Sequence, residues 1–324
     1  MHKDDFIDGG DHRGIEGDTG NSFLPGYLAA KKSIDDRALN HHVWETLRQA
    51  LPETMGNEPA NILEIGAGLG TMFQRIIDKR LLASPFTYVA TDRDPGQLAA
   101  AWKYLSQWAE NCHYTLSWFG KQHGRLSTAQ ADVSLILDLA SAEELVDRSD
   151  SLGSFDLVIA HAVLDLLDFQ AVLPQLFARL KEDGLAYLTC NFDGETIFLP
   201  ACDGDEEIIR RYHASMEQRL SGASQTGRRL MTFLQRPGME LLAVGSSDWV
   251  IFPRGRRRYS QEETYFLHAI IETVERELLK EKCPFSGLAR WARTRHKQVE
   301  AGELSFLARH LDLLARHRAS PPLP

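Results

Sequence analysis

The chain has 324 residues, of which 43% are hydrophobic and 25% are charged. These proportions are ordinary for a soluble globular protein and exclude a disordered or collagen-like chain. The formal net charge is −9, from 36 basic and 45 acidic side chains. This balance argues against general binding to nucleic acid, which depends on many phosphate contacts. The length gives a loose expectation of about two domains.

The cysteine pattern and the N-terminus bear on where the protein works. None of the four cysteines is in a C-x-x-C pair, so neither a zinc ribbon nor a thioredoxin motif is expected. No signal peptide is visible, and no apolar run approaches the length of a membrane span. Free thiols without an export signal favour a cytoplasmic protein.

Composition divides the chain into four segments. Residues 1–20 are rich in Gly and Asp and predict a disordered acidic tail. Residues 21–56 predict a helical cap. Residues 57–259 predict an α/β domain with an inserted cap at 193–237. Residues 260–324 predict a helical appendage.

Short apolar strands alternate with helical stretches over residues 60–192. Such runs, buried on both faces, are typical of a parallel α/β sheet. The predicted strands lie near residues 62–65, 87–91, 133–137, 155–160 and 185–189.

The pattern changes after residue 200. Residues 239–244 and 248–252 read as strands on either side of a short Gly-Ser-Ser sequence and predict an antiparallel hairpin. An amphipathic helix is predicted at 261–280. Leucines spaced by three and four residues predict a last helix at 304–314.

A glycine-rich turn is the strongest local signal. It reads Glu-Ile-Gly-Ala-Gly-Leu-Gly-Thr over residues 64–71 and lies between a predicted strand and a predicted helix. Glycines let the backbone approach a ligand closely, and helix N-terminal amides face the bound group. A dinucleotide-binding motif would place Gly or Ala where this chain has Thr71. A nicotinamide-dependent oxidoreductase is therefore the alternative and not the first interpretation.

Acidic side chains end the first three predicted strands. Glu64 suits a cofactor that carries a cationic amino acid group. Asp92 can accept hydrogen bonds from both hydroxyls of a ribose. Asp138 can accept from an adenine amine, although a helix N-cap role is equally open.

These motifs resemble those of the class I S-adenosylmethionine-dependent methyltransferases. Residues 62–71 and 88–92 look like the first two motifs of that family, and residues 155–161 and 180–185 look like its fourth strand and the turn into the fifth. The resemblance implies an α/β fold with a doubly wound, mostly parallel seven-stranded sheet in the order 3-2-1-4-5-7-6. Strand 7 would be antiparallel, and helices would be added at both termini. The hairpin at 239–252 would supply the closing strands.

The resemblance also implies S-adenosylmethionine as the cofactor. An insertion around 111–131 separates Asp92 from Asp138 by more than is usual, so Asp132 is the alternative adenine contact. The residues expected to bind the cofactor are Glu64, Gly66, Ala67, Gly68, Gly70, Asp92, Arg93, Asp138, Leu139 and His161.

The expected acceptor is a small molecule, as in the ubiquinone/menaquinone-type enzymes of the family. His161, at the end of the fourth strand, is the candidate general base, with a hydrogen-bonded core histidine as the alternative. The residues that follow it do not resemble the Asn/Asp-Pro-Pro-aromatic segment of the nucleic-acid amine methyltransferases. Position 161 also lacks the acid of the metal-dependent catechol enzymes. We therefore expect neither nucleic acid nor a divalent metal, and we expect Asp165 and Asp168 to face solvent.

Other parts of the chain are expected to surround the acceptor. Tyr27 lies in the N-terminal cap, and Arg228 and Arg229 lie in the insert, where they could pair with an anionic acceptor. The C-terminal helices would cover the site or form a homodimer contact. A catalytically silent S-adenosylmethionine-binding partner subunit is a third alternative.

Overall fold

The fold is a ten-stranded sheet with helices on both faces. The computed structural model describes residues 25–55, 59–82, 85–147, 154–220, 222–280 and 286–318; the predicted acidic tail lies outside them. The strands are β1 Ala60–Ile65, β2 Phe86–Asp92, β3 Thr115–Phe119, β4 His123–Ser127, β5 Asp132–Leu139, β6 Phe155–His161, β7 Leu180–Leu199, β8 Met239–Ser246, β9 Trp249–Ile251 and β10 Ser305–His317. The helices are α1 Pro25–Ala38, α2 His41–Met55, α3 Thr71–Asp78, α4 Pro95–Asn111, α5 Ala142–Asp147, α6 Phe169–Phe177, α7 Asp205–Arg219, α8 Thr226–Phe233, α9 Gln261–Leu279 and α10 Leu288–Glu300.

The strand order confirms the predicted arrangement. The sheet runs β3-β4-β5-β2-β1-β6-β7-β10-β8, and β9 pairs with β10. The seven strands from β5 to β8 in this order reproduce the pattern 3-2-1-4-5-7-6. The first five of them are parallel neighbours, and β10 is antiparallel to both β7 and β8. The insertion at 111–131 contributes the hairpin β3–β4, which extends the sheet antiparallel to β5.

The predicted helix at 304–314 is wrong, because this segment is the antiparallel strand β10. It pairs with β7 along one edge and with β8 and β9 along the other. Leu314 is buried in one apolar core and its neighbours Leu313 and Ala315 in another, so both faces of the strand are covered there. Two irregularities in its pairing with β7 shift the alternation of side chains. A strand buried on both faces has a nearly continuous apolar run, which periodicity does not separate from a helix. The predicted hairpin is also corrected, since β8 and β9 both pair with β10.

A separate apolar cluster holds α1 over the sheet. Ile34 of α1 is buried together with residues of α7, α9, α10 and the start of β10. Tyr27 stacks on Phe266 of α9 with ring centroids 5.5 Å apart. Arg37 donates to Glu263 at 2.7 Å. The helix is thereby fixed where the parallel strands end. In the described ranges, no helix has the length and apolar character that a membrane crossing requires.

The strand assignment of β10 is tested by two truncations. Phe306 is 1% exposed and packs against Phe198, with ring centroids 5.1 Å apart. Leu307, the next residue, is only half-buried. We expect Phe306→Ala to lower the free energy of unfolding by ~3–5 kcal/mol and Leu307→Ala to lower it by about 1 kcal/mol. Urea denaturation measures both. The helical interpretation places Leu307 on the core stripe, so a larger loss at Leu307 would contradict the strand.

Candidate active site

The glycine turn between β1 and α3 is shaped by Asp92 at the end of β2. Gly66, Gly68 and Gly70 have φ values of 62°, 54° and 74°, a region that favours glycine. The backbone N–H of Gly68 donates to Asp92 Oδ2 at 2.9 Å, and that of Asp94 donates to Oδ1 at 3.0 Å. Asp92 therefore orders both the glycine turn and the turn after β2.

Close packing leaves no room for side chains in this turn. A Cβ on Gly66 would lie 2.5 Å from Val163, and one on Gly70 would lie 2.9 Å from Leu105. A Cβ on Gly68 would lie 3.1 Å from Leu28 of α1. The turn thus presents bare backbone to the space beneath α1.

Two carboxyl groups lie beside the glycine turn. Burial raises the pKa of Glu64 to about 8, and its Oε2 accepts from the Tyr88 hydroxyl at 2.7 Å. Burial also raises the pKa of Asp92. A ligand with hydroxyls or a positive charge would stabilise the ionised form of both carboxyl groups.

A cavity of about 450 Å³ opens at the carboxyl ends of the parallel strands. Ligands of open α/β sheets bind at this edge. We call the part beside the glycine turn and the turns after β2 and β5 the cofactor end, and the part beneath α1 the acceptor end. The cofactor end includes Glu64, Gly66, Ala67, Gly68, Asp92, Arg93 and Ala140–Glu143; the acceptor end includes Tyr27, Lys31, Asp35, His161, Asp165, Cys190, Trp249 and His310.

The cavity wall after β5 differs from the expectation. Ala140, Ser141, Ala142 and Glu143 line the cavity, whereas Asp138 and Leu139 are not part of its wall, and Leu139 is 44% exposed. The alternative, Asp132, is wrong. It is the first residue of β5, at the amino ends of the parallel strands and away from the cavity, and it pairs with the exposed Arg125.

The two insert arginines also lie outside the cavity wall, as does Gly70. Arg228 binds the buried Asp193, with its Nε 2.8 Å from Oδ1. Arg229 lies over the ring of Phe169 at 5.6 Å. No described residue of the insert lines the cavity, so the expected acceptor contacts of this segment are corrected.

A buried polar network forms the floor of the acceptor end. Asp35 Oδ2 accepts from Lys31 Nζ at 2.6 Å and contacts His161 Nε2 at 3.0 Å. Its Oδ1 accepts from Trp249 Nε1 at 2.9 Å. Burial opposes ionisation, but Lys31 and His161 hold the pKa of Asp35 well below its usual range. The carboxylate is therefore ionised, and both of its oxygens accept hydrogen bonds within this network.

His161 is a neutral member of this network. Burial lowers its pKa to about 4, although Asp35 favours the charged form. Its Nδ1 lies 2.8 Å from Thr189 Oγ1. Since an ionised carboxylate only accepts, Nε2 carries the proton and Nδ1 accepts from the Thr189 hydroxyl. Both ring nitrogens are thus occupied.

Several residues of the acceptor end were missed by the sequence reasoning. Asp35 and Trp249 come from segments far apart in the chain, and no local motif marks them. Asp165 was expected to face solvent, and this is wrong, because it lines the cavity. Its position in the turn after β6, at the ligand-binding edge, was the available signal. Asp168 is exposed, as expected, and caps α6 through the backbone N–H of Gln170.

Among the residues that the structure describes, one group of possible metal ligands lies in this floor. Atoms of Asp35, His161 and Cys190 lie within 4.8 Å of one another. The ammonium of Lys31 already lies on the same carboxylate at 2.6 Å. Burial raises the pKa of the Cys190 thiol well above its usual value, so the thiol keeps its proton. Lys31 thus supplies the positive charge that a metal ion would otherwise bring.

Comparison with known proteins finds a family model that matches the central region. Residues 63–186 match the family model described as a methyltransferase domain. No curated protein sequence matches the chain.

Similar solved structures are distant. A putative sarcosine dimethylglycine methyltransferase from Galdieria sulphuraria has 15% identity and a TM-score of 0.36, with 86% of each chain covered. YjhP from E. coli has 14% identity and a TM-score of 0.43 over 91% of this chain and 100% of that one. Phosphoethanolamine N-methyltransferase 2 from Haemonchus contortus, in complex with phosphomonomethylethanolamine and S-adenosylhomocysteine, has 13% identity and a TM-score of 0.41 over 90% and 57%. Likenesses this distant do not assign an activity.

The glycine turn, the strand order and the family match agree with one another. The resemblance to the class I S-adenosylmethionine-dependent methyltransferases is confirmed for the central region, since residues 63–186 match the methyltransferase-domain model.

Proposed function

We propose that the protein is an S-adenosylmethionine-dependent methyltransferase that acts on a small-molecule acceptor. The observation that carries this proposal is a single cavity with two chemically different ends. One end is lined by backbone and carboxylates, and the other by polar and aromatic side chains. A volume of about 450 Å³ suits small molecules better than a segment of protein or nucleic acid.

The residues at the cofactor end fit S-adenosylmethionine. The bare backbone of Gly66 and Gly68 gives close approach to the methionine part. Asp92 keeps lone pairs for ribose hydroxyls beyond the two N–H bonds it accepts. Ala140 and Ala142 give a small apolar wall for the adenine. When bound, the cofactor supplies a methyl group already activated for displacement by its positively charged sulfur.

The chain itself then has to position the acceptor and exclude water. Positioning can supply most of the catalysis when the donor is already activated. Helix α1 covers the acceptor end, with Leu28 against the glycine turn and Lys31 and Asp35 on the floor. We propose that His161 acts as a positioning residue, because its nitrogens hold Asp35 and Thr189. Its role as a general base stays a prediction.

Two alternative functions are each disfavoured by a different feature of the chain. A nicotinamide-dependent oxidoreductase is disfavoured by Thr71 in the glycine turn and by the antiparallel closing strand β10. A silent partner subunit would have a blocked acceptor end, whereas the cavity here continues beneath α1.

The ribose assignment of Asp92 is tested by Asp92→Ala. We expect affinity for S-adenosylhomocysteine to fall by at least ~1.5 kcal/mol, about tenfold or more, because hydrogen bonds to a charged group are lost. Calorimetry measures the affinity, and circular dichroism checks the fold. The matched control is Asp132→Asn at the opposite edge of the sheet. Unchanged affinity for S-adenosylhomocysteine in folded Asp92→Ala would contradict the assignment of Asp92 to the ribose.

The role of His161 is tested by the pH dependence of turnover. As a positioning residue with a pKa near 4, His161 stays neutral from pH 5.5 to 8, and turnover should show no loss due to its protonation in that range. His161→Gln should keep turnover within about tenfold, since Gln retains hydrogen bonding. A general base predicts a fall of roughly 100-fold or more in the Gln variant. A wild-type decline with an apparent pKa near 6.5 that is absent in His161→Gln would support the base.

Metal independence is tested by chelation. We expect dialysis against EDTA to leave methyl transfer unchanged, because Lys31 occupies the carboxylate that a metal would need. Lys31→Met removes the ammonium and is the matched variant for zinc titration. Loss of transfer with the chelator, restored by a divalent ion, would refute metal independence.

A further inference from the structure

The carboxylate of Asp165 at the acceptor end is accessible to a ligand in the cavity. Asp165 lies in the short 3₁₀ turn Leu164–Leu166, directly after β6, and lines the cavity. Within the described part of the chain, its carboxylate has no salt bridge to a cationic side chain, and it accepts from its own backbone N–H. Its half-buried side chain is open to the cavity.

The other charges of the acceptor end cancel or are absent. Lys31 and Asp35 form an ion pair at 2.6 Å. Burial lowers the pKa of His161 and of His310 to about 4, so both rings are neutral at physiological pH. Burial also raises the pKa of Tyr27 well above its usual value, which keeps the phenol protonated. Among the described residues of the acceptor end, Asp165 is therefore the carboxylate without a direct ion-pair partner, although Lys31 and Arg219 act on it at longer range.

The walls beside this carboxylate are aromatic. Tyr27 and Trp249 line the same space, and the Lys31 ammonium lies 4.9 Å from the Trp249 ring centroid. Lys31 already occupies the Trp249 face, so Asp165 is the group that would hold a cationic ligand, since a carboxylate attracts a cation more strongly than a ring does. An anionic acceptor would find no unpaired cation here, because Lys31 is bound to Asp35 and the two insert arginines lie outside the wall.

We propose that the methyl acceptor is a small amine, held as its ammonium ion by Asp165, which then takes the proton from its nitrogen. This inference rests on the proposed methyltransferase function and names its acceptor class. Asp165 becomes a catalytic residue in this account.

The step balances without a further reactant. An ammonium nitrogen has no lone pair, so one N–H proton passes to the Asp165 carboxylate first. The freed lone pair forms a bond to the donor methyl carbon while the carbon–sulfur bond breaks and its electron pair stays on sulfur. The product is a methylated ammonium ion, and the proton on Asp165 later leaves to water. Burial raises the pKa of Asp165, although Lys31 and Arg219 oppose this, and a raised pKa makes the carboxylate a better base.

The acceptor class is tested with donor carrying a trideuterated methyl group. The full chain is incubated with this S-adenosylmethionine and with a small-metabolite extract of its source cells. Mass spectrometry then locates the label. We expect the label on nitrogen. Label on oxygen, sulfur or carbon would overturn the amine proposal while leaving the methyltransferase function in place. If the protein binds added S-adenosylhomocysteine but no labelled product forms, the proposed function itself is contradicted.

The role of Asp165 is tested by Asp165→Asn, with Asp168→Asn as the matched control. Asp168 is exposed, and Asn also serves as an N-cap, so the control removes the same charge from the surface. We expect Asp165→Asn to lower transfer to the labelled amine by roughly 100-fold at pH 7. The deficit should shrink towards pH 9.5, where more of the amine is already deprotonated in solution.

Two binding measurements complete the test. Calorimetry should show unchanged affinity for S-adenosylhomocysteine in Asp165→Asn, and at least tenfold weaker binding of the amine product to the enzyme. Weaker S-adenosylhomocysteine binding would place Asp165 in the cofactor site and overturn the proposal. A pH-independent deficit, or equal activity of the two Asn variants, would overturn it as well.

Discussion

The ionised, buried carboxylate of Asp35 is the group on which the acceptor end depends. It accepts hydrogen bonds from Lys31 one helical turn earlier in α1, from His161 at the end of β6 and from Trp249 in β9. Removing one partner of a buried charge is costly, because the remaining charge has no water to solvate it. Three separate elements are thus tied to one point beneath α1. Any variant that neutralises Asp35 should therefore disturb the acceptor end more than it disturbs the glycine turn.

The two ends of the cavity are built by different means. The cofactor end uses local structure, since Asp92 orders two adjacent turns through backbone N–H groups. The acceptor end uses long-range contacts among α1, β6, β7, β9 and β10. This division is consistent with a common cofactor turn on which different acceptor sites can be assembled, because function depends on the site and not on the fold.

The sequence predicted the local features better than the assembled ones. The glycine turn and the parallel strands have signals within a few residues, and both were found. The leucine spacing of β10 predicts a helix, because a strand covered on both faces loses the alternation that identifies strands. Asp132 is an alternative to Asp138 from the sequence alone, because the length of the insertion does not show where β5 begins. Asp35 and Asp165 acquire their significance only when α1 closes over the strand ends, which no local spacing encodes.

The central claim is that the cavity binds S-adenosylmethionine at its glycine-turn end. Equilibrium dialysis of the full chain with tritiated S-adenosylmethionine measures this directly, with NADH and S-adenosylhomocysteine as competitors. We expect saturable binding at one site per chain, displaced by S-adenosylhomocysteine and not by NADH. Absence of saturable binding, or displacement by NADH, would contradict it.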